Sequence, residues 1–209
     1  MSKEKEIAVQ KNPDDIKLAS FATAQEAISF AEVLIASKLV PQSLKTPESV
    51  VAVILQGKEL GFGPVTSLNN INNIQGKPTL SIHAIAAKIS QAGIAYKLVQ
   101  DFEEIVKQID GEDKIVDRIT TFEFYKKWNG ETITNRVSYR WSEATKAGYT
   151  TKDNWQKMPR IMLRTRALTI GARIVAPEAI LGLYETSEMA DVKGVNYETT
   201  EEGVVTILD

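Results

Sequence analysis

Apolar residues recur at helical spacing in some stretches of this chain and alternate in others, so helices and a small amount of sheet are both expected. Ala27, Phe30, Ala31, Leu34 and Ile35 predict a helix over 23–38. A second helix has Thr46 as its cap, Pro47 at the first turn and Glu48 beside the positive end of its dipole. It runs along VVAVILQGKEL and stops near Gly61. The stretch GFGPVTSLNNINNIQGKPTLS, rich in Gly, Asn and Pro, predicts a short two-stranded element turning at Gln75–Pro78. A helix over 81–92, apolar at Ile82, Ile85, Ala86 and Ile89, closes at Gly93, and IAYKLVQ follows as a strand.

The clearest local signal is ITTFEFYKKWNGETITNRVSYRW, residues 119–141. Asn129-Gly130 between two β-rich runs is the favoured two-residue hairpin turn, because both central positions take positive φ. Pairing outward sets Trp128 opposite Glu131, Lys126 opposite Ile133, Phe124 opposite Asn135, Phe122 opposite Val137 and Thr120 opposite Tyr139. That largely apolar face belongs on the core. The other face sets Thr121, Glu123, Tyr125 and Lys127 against Thr132, Thr134, Arg136, Ser138 and Arg140, and is polar and mostly basic. Ser142 is expected to cap a short helix ending near Gly148. A long helix begins at Lys157–Pro159 and ends before Pro177. Beyond 186 the chain turns polar and acidic, closing on VVTIL, an apolar patch suited to strand addition or partner docking. The expected fold is α+β: one compact domain over 21–185, with a β-hairpin or small antiparallel sheet packed against helices. It lies between a flexible leader (1–20) and an acidic tail (186–209).

The 209 residues are 43% hydrophobic and 25% charged, enough for one sizeable core. The lack of cysteine excludes disulfides and thiolate metal sites and suits a reducing compartment. MSKEKEIAVQKNPDD is too polar for a signal peptide, and no stretch approaches eighteen apolar residues, so no membrane partner is expected.

A net charge of −2 argues against a polyanion partner until its distribution is considered. Residues 126–173 carry eleven Lys and Arg against three acids, whereas 178–209 carry eight acids and one Lys. Residues 101–117 are acidic too. Such segregation suits a polyanion site with a solvated or competing tail, or two complementary surfaces that meet within the fold or between subunits.

The long helix concentrates the question. Lys157, Arg160 and Arg164 fall on one stripe, Arg166 and Arg173 almost opposite, and Leu163, Ala167, Ile170 and Ile174 form the core stripe between them. A guanidinium near a core needs an anion, which must come from this chain or from a partner.

Catalytic motifs are missing. Gly76-Lys77 lacks the upstream glycine of a phosphate loop, and GFGP is too short for a dinucleotide fingerprint. His83 reads as an ordinary helix residue. Asp101, Glu103 and Glu104 could hold Mg²⁺ but read as a solvated edge. No nucleophile–base–orienter set assembles, so binding rather than enzymatic chemistry is expected.

The order of pieces carries a resemblance. QGKELGFGP (56–64) precedes a short sheet element, SIHAIAAKISQAG (81–93), a β-hairpin and Trp155. The most specific stretch is WQKMPRIMLRTRALTIGARIVAPEAILGLYETSE (155–188), with a Trp before a Met-Leu-x-x-Arg-Ala helix and a Pro-x-x-x-x-Gly-x-Tyr exit. Over about 45–185 the chain resembles the RecT/Redβ-like single-strand annealing proteins of phages, recombinases that need no ATP.

The resemblance implies a compact α+β domain that assembles into homo-oligomeric rings or helical filaments. Such assemblies bind single-stranded DNA, anneal it to its complement and hold the annealed duplex. It implies no required cofactor, Mg²⁺ arriving only with DNA, and an origin in phage or prophage within a bacterial host cytoplasm. A phage exonuclease or host single-strand-binding protein would be the partner, with the family's C-terminal partner-binding region reduced to the acidic tail.

Lys126, Lys127, Arg136 and Arg140 with Lys157, Arg160 and Arg164 are then expected to line a basic groove, with Tyr125 stacking a base. Arg166 and Arg173 complete the candidate set, or pair structurally with acids. Trp128, Trp141 and Trp155 are read as core. Two rival readings are a metal-dependent DNA-processing enzyme using Asp101, Glu103 and Glu104, and a non-DNA assembly protein whose basic middle meets a neighbour's acidic tail.

Overall fold

The computed structural model describes residues 21–38, 40–41 and 43–208, so the expected leader (1–20) lies outside the described residues. The architecture is α+β. Contacts gather the chain into two compact units divided between Asn69 and Asn70, a boundary that falls inside the expected 21–185 core.

In the first unit, helices α1 (Ala24–Ala36) and α2 (Pro47–Glu59) pack together. Thr23 caps α1 by accepting from the Glu26 N–H, and Thr46 and Ser49 satisfy each other's backbone N–H at the start of α2. These are donors that a helix start leaves bare. The helices bury Ala27, Ala31 and Leu34, and Val50, Val53 and Ile54. A third helix, α3 (Pro64–Asn70), forms in a stretch read as part of a short two-stranded element; it has seven residues and no apolar period to betray it. Ser67 on α3 sits where a Cβ on Gly57 would be, so α2 carries glycine there.

The second unit opens with β1 (Ile71–Ile74) and β2 (Lys77–Leu80), paired antiparallel around Gln75-Gly76, both at positive φ. Ser81 caps α4 (Ile82–Gln91). Strands β3 (Ala95–Ile109), β4 (Glu112–Trp128) and β5 (Glu131–Arg140) form an antiparallel sheet in that order. The β4–β5 register matches the expected pairs from Trp128–Glu131 to Thr120–Tyr139. Strand β3 runs well past the expected 100, because Asp110-Gly111 is a further tight turn with positive φ at both residues. Residues 103–109 and 112–118 thus form a ribbon in which Val106, Ile109, Ile115 and Val116 are exposed.

Helix α5 (Trp141–Lys146) starts two residues earlier than expected, with Arg140 rather than Ser142 at the cap position. The Glu143 carboxylate accepts from the Arg140 N–H, and Ser142 instead donates its N–H and hydroxyl to Asp117. Helices α6 (Asp153–Lys157) and α7 (Pro159–Val175) break at Met158. Then come α8 (Pro177–Ile180), β6 (Tyr184–Glu185), parallel to β2, α9 (Thr186–Lys193), and the hairpin of β7 (Tyr197–Thr199) with β8 (Val205–Ile207).

Helix α7 is the axis of this unit. It packs on β3, β4 and β5 and touches α4, α6 and α8. The Phe124 ring lies over Gly171, where any side chain would collide with it. Burial extends around most of the helix, including Thr165, Arg166 and Thr169. The expected core stripe is therefore corrected: Leu163 and Ala167 are buried, but Ile174 is 59% exposed.

The expected acidic tail is corrected as well. Residues 186–207 fold as α9, β7 and β8, and Ala190, Tyr197, Val205 and Ile207 join Ala144, Trp155, Met162 and Leu163 in one cluster. Of the tryptophans, Trp155 is fully buried and Trp141 packs beside it, whereas Trp128, next to the hairpin turn, is 60% exposed. Among the described residues no helix is long and apolar enough to cross a membrane.

Candidate nucleic-acid interface

The alternation of β4 and β5 decides which cations share a face. Phe122, Phe124 and Val137 turn toward α7 and are buried. Lys126 shares their side. Its ammonium donates to the Val175 carbonyl at 3.1 Å and pairs with Glu178 at 3.4 Å, neutralising the negative end of α7. Lys126 is therefore removed from the expected groove.

The opposite face carries Lys127, Arg136 and Arg140, all exposed. It gains Lys97, which pairs in register with Glu123 on the neighbouring strand and is exposed too. Lys97 was legible once IAYKLVQ is laid against β4, but the expected hairpin stopped at two strands. Four cations thus share a three-stranded face with Glu123, together with Thr132, Thr134 and Ser138. Glu123 accepts from the Tyr125 hydroxyl at 2.6 Å and lies 3.8 Å from Arg136. That bond raises the Tyr125 hydroxyl pKa above its ordinary value. Arg136 and Arg140 stand four residues apart, about 13 Å along the strand.

The cations of α6 and α7 have a different fate, because this chain supplies their anions. Lys157 pairs with Asp153 one turn earlier, at 2.7 Å. Arg160 and Arg164 both close on Asp101, at the sheet edge formed by β3. The two guanidinium groups hold the Asp101 carboxyl down at about 2; the Arg164 hydrogen bond lowers it most, against partial burial.

Arg166 has a side chain only 3% exposed and donates to Asp191 at 2.5 Å. It lies over the stacked rings of Tyr149 and Trp155. Asp191 also accepts from Trp155 Nε1 at 2.8 Å, Tyr197 Oη at 3.0 Å and Lys152 Nζ at 3.1 Å. Arg173 makes a two-point pair with Glu188 at 2.6 and 2.7 Å and lies over the Tyr184 ring. Arg166 and Arg173 are thus structural, and Arg166 is too deep to meet any ligand.

The single groove expected from hairpin and helix together is corrected accordingly. Lys127, Arg136, Arg140 and Tyr125 share the open face. Lys157 ends α6, and Arg160 and Arg164 lie on α7, which packs on the other face of the sheet.

The acids of the rival Mg²⁺ reading each have a partner within the chain. Asp101 is taken by the two arginines, Glu103 accepts from Gln100 and Glu104 pairs with Arg118. Among the described residues no group of three or more potential ligands is placed to hold a metal ion. His83 is exposed, and with Glu202 and Arg164 it lines a cavity of about 300 Å³ whose other walls are mostly apolar. No known protein family, curated protein or solved structure matches the chain.

Proposed function

We propose that this protein binds single-stranded DNA and anneals complementary strands without nucleotide hydrolysis, in the manner of the RecT/Redβ-like proteins it resembles. The observation that carries the reading is the open sheet face, where Lys97, Lys127, Arg136 and Arg140 surround one carboxylate on a surface otherwise rich in hydroxyl groups. Such a surface neutralises phosphates without reading bases, as strand pairing requires, and Tyr125 offers a ring for stacking. Assembly into a ring or filament would join such faces end to end, so that many weak contacts add. Base pairing itself drives annealing, which removes the need for a covalent catalytic site or a cofactor.

The test is binding of a fluorescent oligo-dT by the protein and by an Arg136→Ala/Arg140→Ala variant across a salt series. Loss of two phosphate contacts should flatten the slope of log K against log salt by about 1.4. Unchanged affinity and slope would remove the open face from the binding site.

One observation favours a second reading, a non-DNA assembly protein. The 103–118 ribbon exposes Val106, Ile109, Ile115 and Val116, and both of its edges are open. That reading expects a large oligomer with no DNA affinity.

A further inference from the structure

Arg160 and Arg164 do not meet Asp101 as ordinary surface ion pairs. Each presents the edge formed by Nε and one terminal nitrogen, so four N–H donors converge on one carboxylate. Arg160 directs both of its donors to Oδ2, its Nε at 2.8 Å. Arg164 places Nε on Oδ1 at 2.5 Å and its terminal nitrogen on Oδ2. Oδ2 thus receives three of the four donors. Two positive groups on one negative group leave the cluster one charge in excess. Planar forks of this kind fit the non-bridging oxygens of a phosphate as well as a carboxylate. The Arg160 side chain is 58% exposed, so the cluster is open to solvent on that side.

The route by which β3 delivers Asp101 is also unusual. The β3–β4 register slips between Leu98 and Gln100 and again between Gln100 and Glu103. Phe102, the next residue, stands at φ +57, a conformation that a side chain with a Cβ disfavours. The Phe102 N–H is held by the Thr120 hydroxyl at 3.1 Å, and Arg118 lies over its ring. A regular strand would need none of this. The bulge turns Asp101 onto the two arginines, at the root of the ribbon.

We propose that Arg160 and Arg164 form a seat for a single phosphodiester group, and that Asp101 fills it as an internal competitor until nucleic acid displaces the carboxylate. This deepens the proposed function and rests on it. The open face captures a strand, while the α7 seat stays closed to weak or short ligands. An occupied seat lowers apparent affinity by the fraction of time it is shut. Emptying it should therefore tighten binding.

The experiment compares oligo-dT binding by the wild-type protein, Asp101→Asn, Glu103→Gln, and Asp101→Asn/Arg164→Ala. Glu103→Gln removes the same charge two residues away, outside the seat. Asp101→Asn is expected to bind on the order of tenfold tighter, Glu103→Gln less than twofold tighter, and the double variant to lose the gain. In the wild-type protein, the Nε–H resonances of Arg160 and Arg164 should shift when oligo-dT is added; this check needs no variant to fold. If the wild type binds but Asp101→Asn gains no more than Glu103→Gln, or those resonances stay still while open-face amides shift, the seat is refuted and the open-face reading stands. If neither the wild type nor Asp101→Asn binds at low salt, both readings fall.

Discussion

Replacing Asp191 with Ala tests the internal logic of the second unit most severely. The side chain is fully buried and accepts hydrogen bonds from Arg166, Trp155, Tyr197 and Lys152. Its loss leaves the Arg166 guanidinium, 3% exposed, with Glu188 at 3.8 Å as its nearest acid. Breaking one half of a buried ion pair costs about 3–5 kcal/mol, because the remaining charge is stranded away from water. The orphaned indole N–H and phenol each add a desolvation cost of about 1–3 kcal/mol, although such losses do not sum. The cation–π contacts to Tyr149 and Trp155 offset part of the loss. The net expectation is about 4 kcal/mol. With a urea m-value of about 2 kcal/mol/M, the unfolding midpoint falls by roughly 2 M. Urea unfolding followed by tryptophan fluorescence reads the buried Trp155 directly. An apolar pair, Asp191→Leu with Arg166→Met, should recover much of the loss, since a satisfied apolar core can replace a buried ion pair. A midpoint shift below about 0.5 M for Asp191→Ala would refute the account of Asp191 as the hub of this unit.

Further consequences follow from the packing. Gly171→Ala drives a methyl into the buried Phe124 ring and should cost about 1–3 kcal/mol by urea unfolding; a neutral result would show that the ring can move aside. Truncation after Glu185 removes Asp191, Glu188 and Tyr197 together, and should abolish cooperative thermal unfolding rather than merely free a tail. Burial pushes the Tyr139 hydroxyl up to about 12, and burial with the Asp191 carboxylate raises that of Tyr197. Their folded pKa values exceed the ordinary value of about 10. The stability they contribute is therefore complete below pH 10 and lost as pH rises through their folded pKa values, about 12 for Tyr139. Absorbance at 295 nm should show these two phenols ionising only with unfolding. Titration of all six tyrosines near pH 10 in a still-folded protein would contradict this.

The β4–β5 hairpin was legible because its signals are local: a period of two, and an Asn-Gly turn that fixes every pair. The longer β3–β4 hairpin used an equally good signal, Asp110-Gly111, but it sat inside an acidic run that reads as a solvated edge. The helix wheel separated the α7 cations into two stripes and posed the right question about their anions. It could not answer it, because Asp101 lies 59 and 63 residues from its two arginines, and Asp191 lies 25 from Arg166. Long-range ion pairing leaves no periodic trace. For the same reason the acids after 186 resembled a solvated tail, although Asp191 and Glu188 are what allow Arg166 and Arg173 to lie on the core helix. Lys126 shows the reverse: strand alternation had already placed it on the apolar side, away from Lys127.

Strand annealing on the basic sheet face can be followed in solution. Its most direct test mixes two complementary oligonucleotides, one fluorescent and one quenching, with the protein, without ATP, across a salt series. Quenching is expected to be faster than in buffer, to weaken steeply with salt, and to be slowed by Arg136→Ala/Arg140→Ala but not by Arg173→Ala if that variant remains folded. No acceleration, together with no binding to either strand, would contradict it.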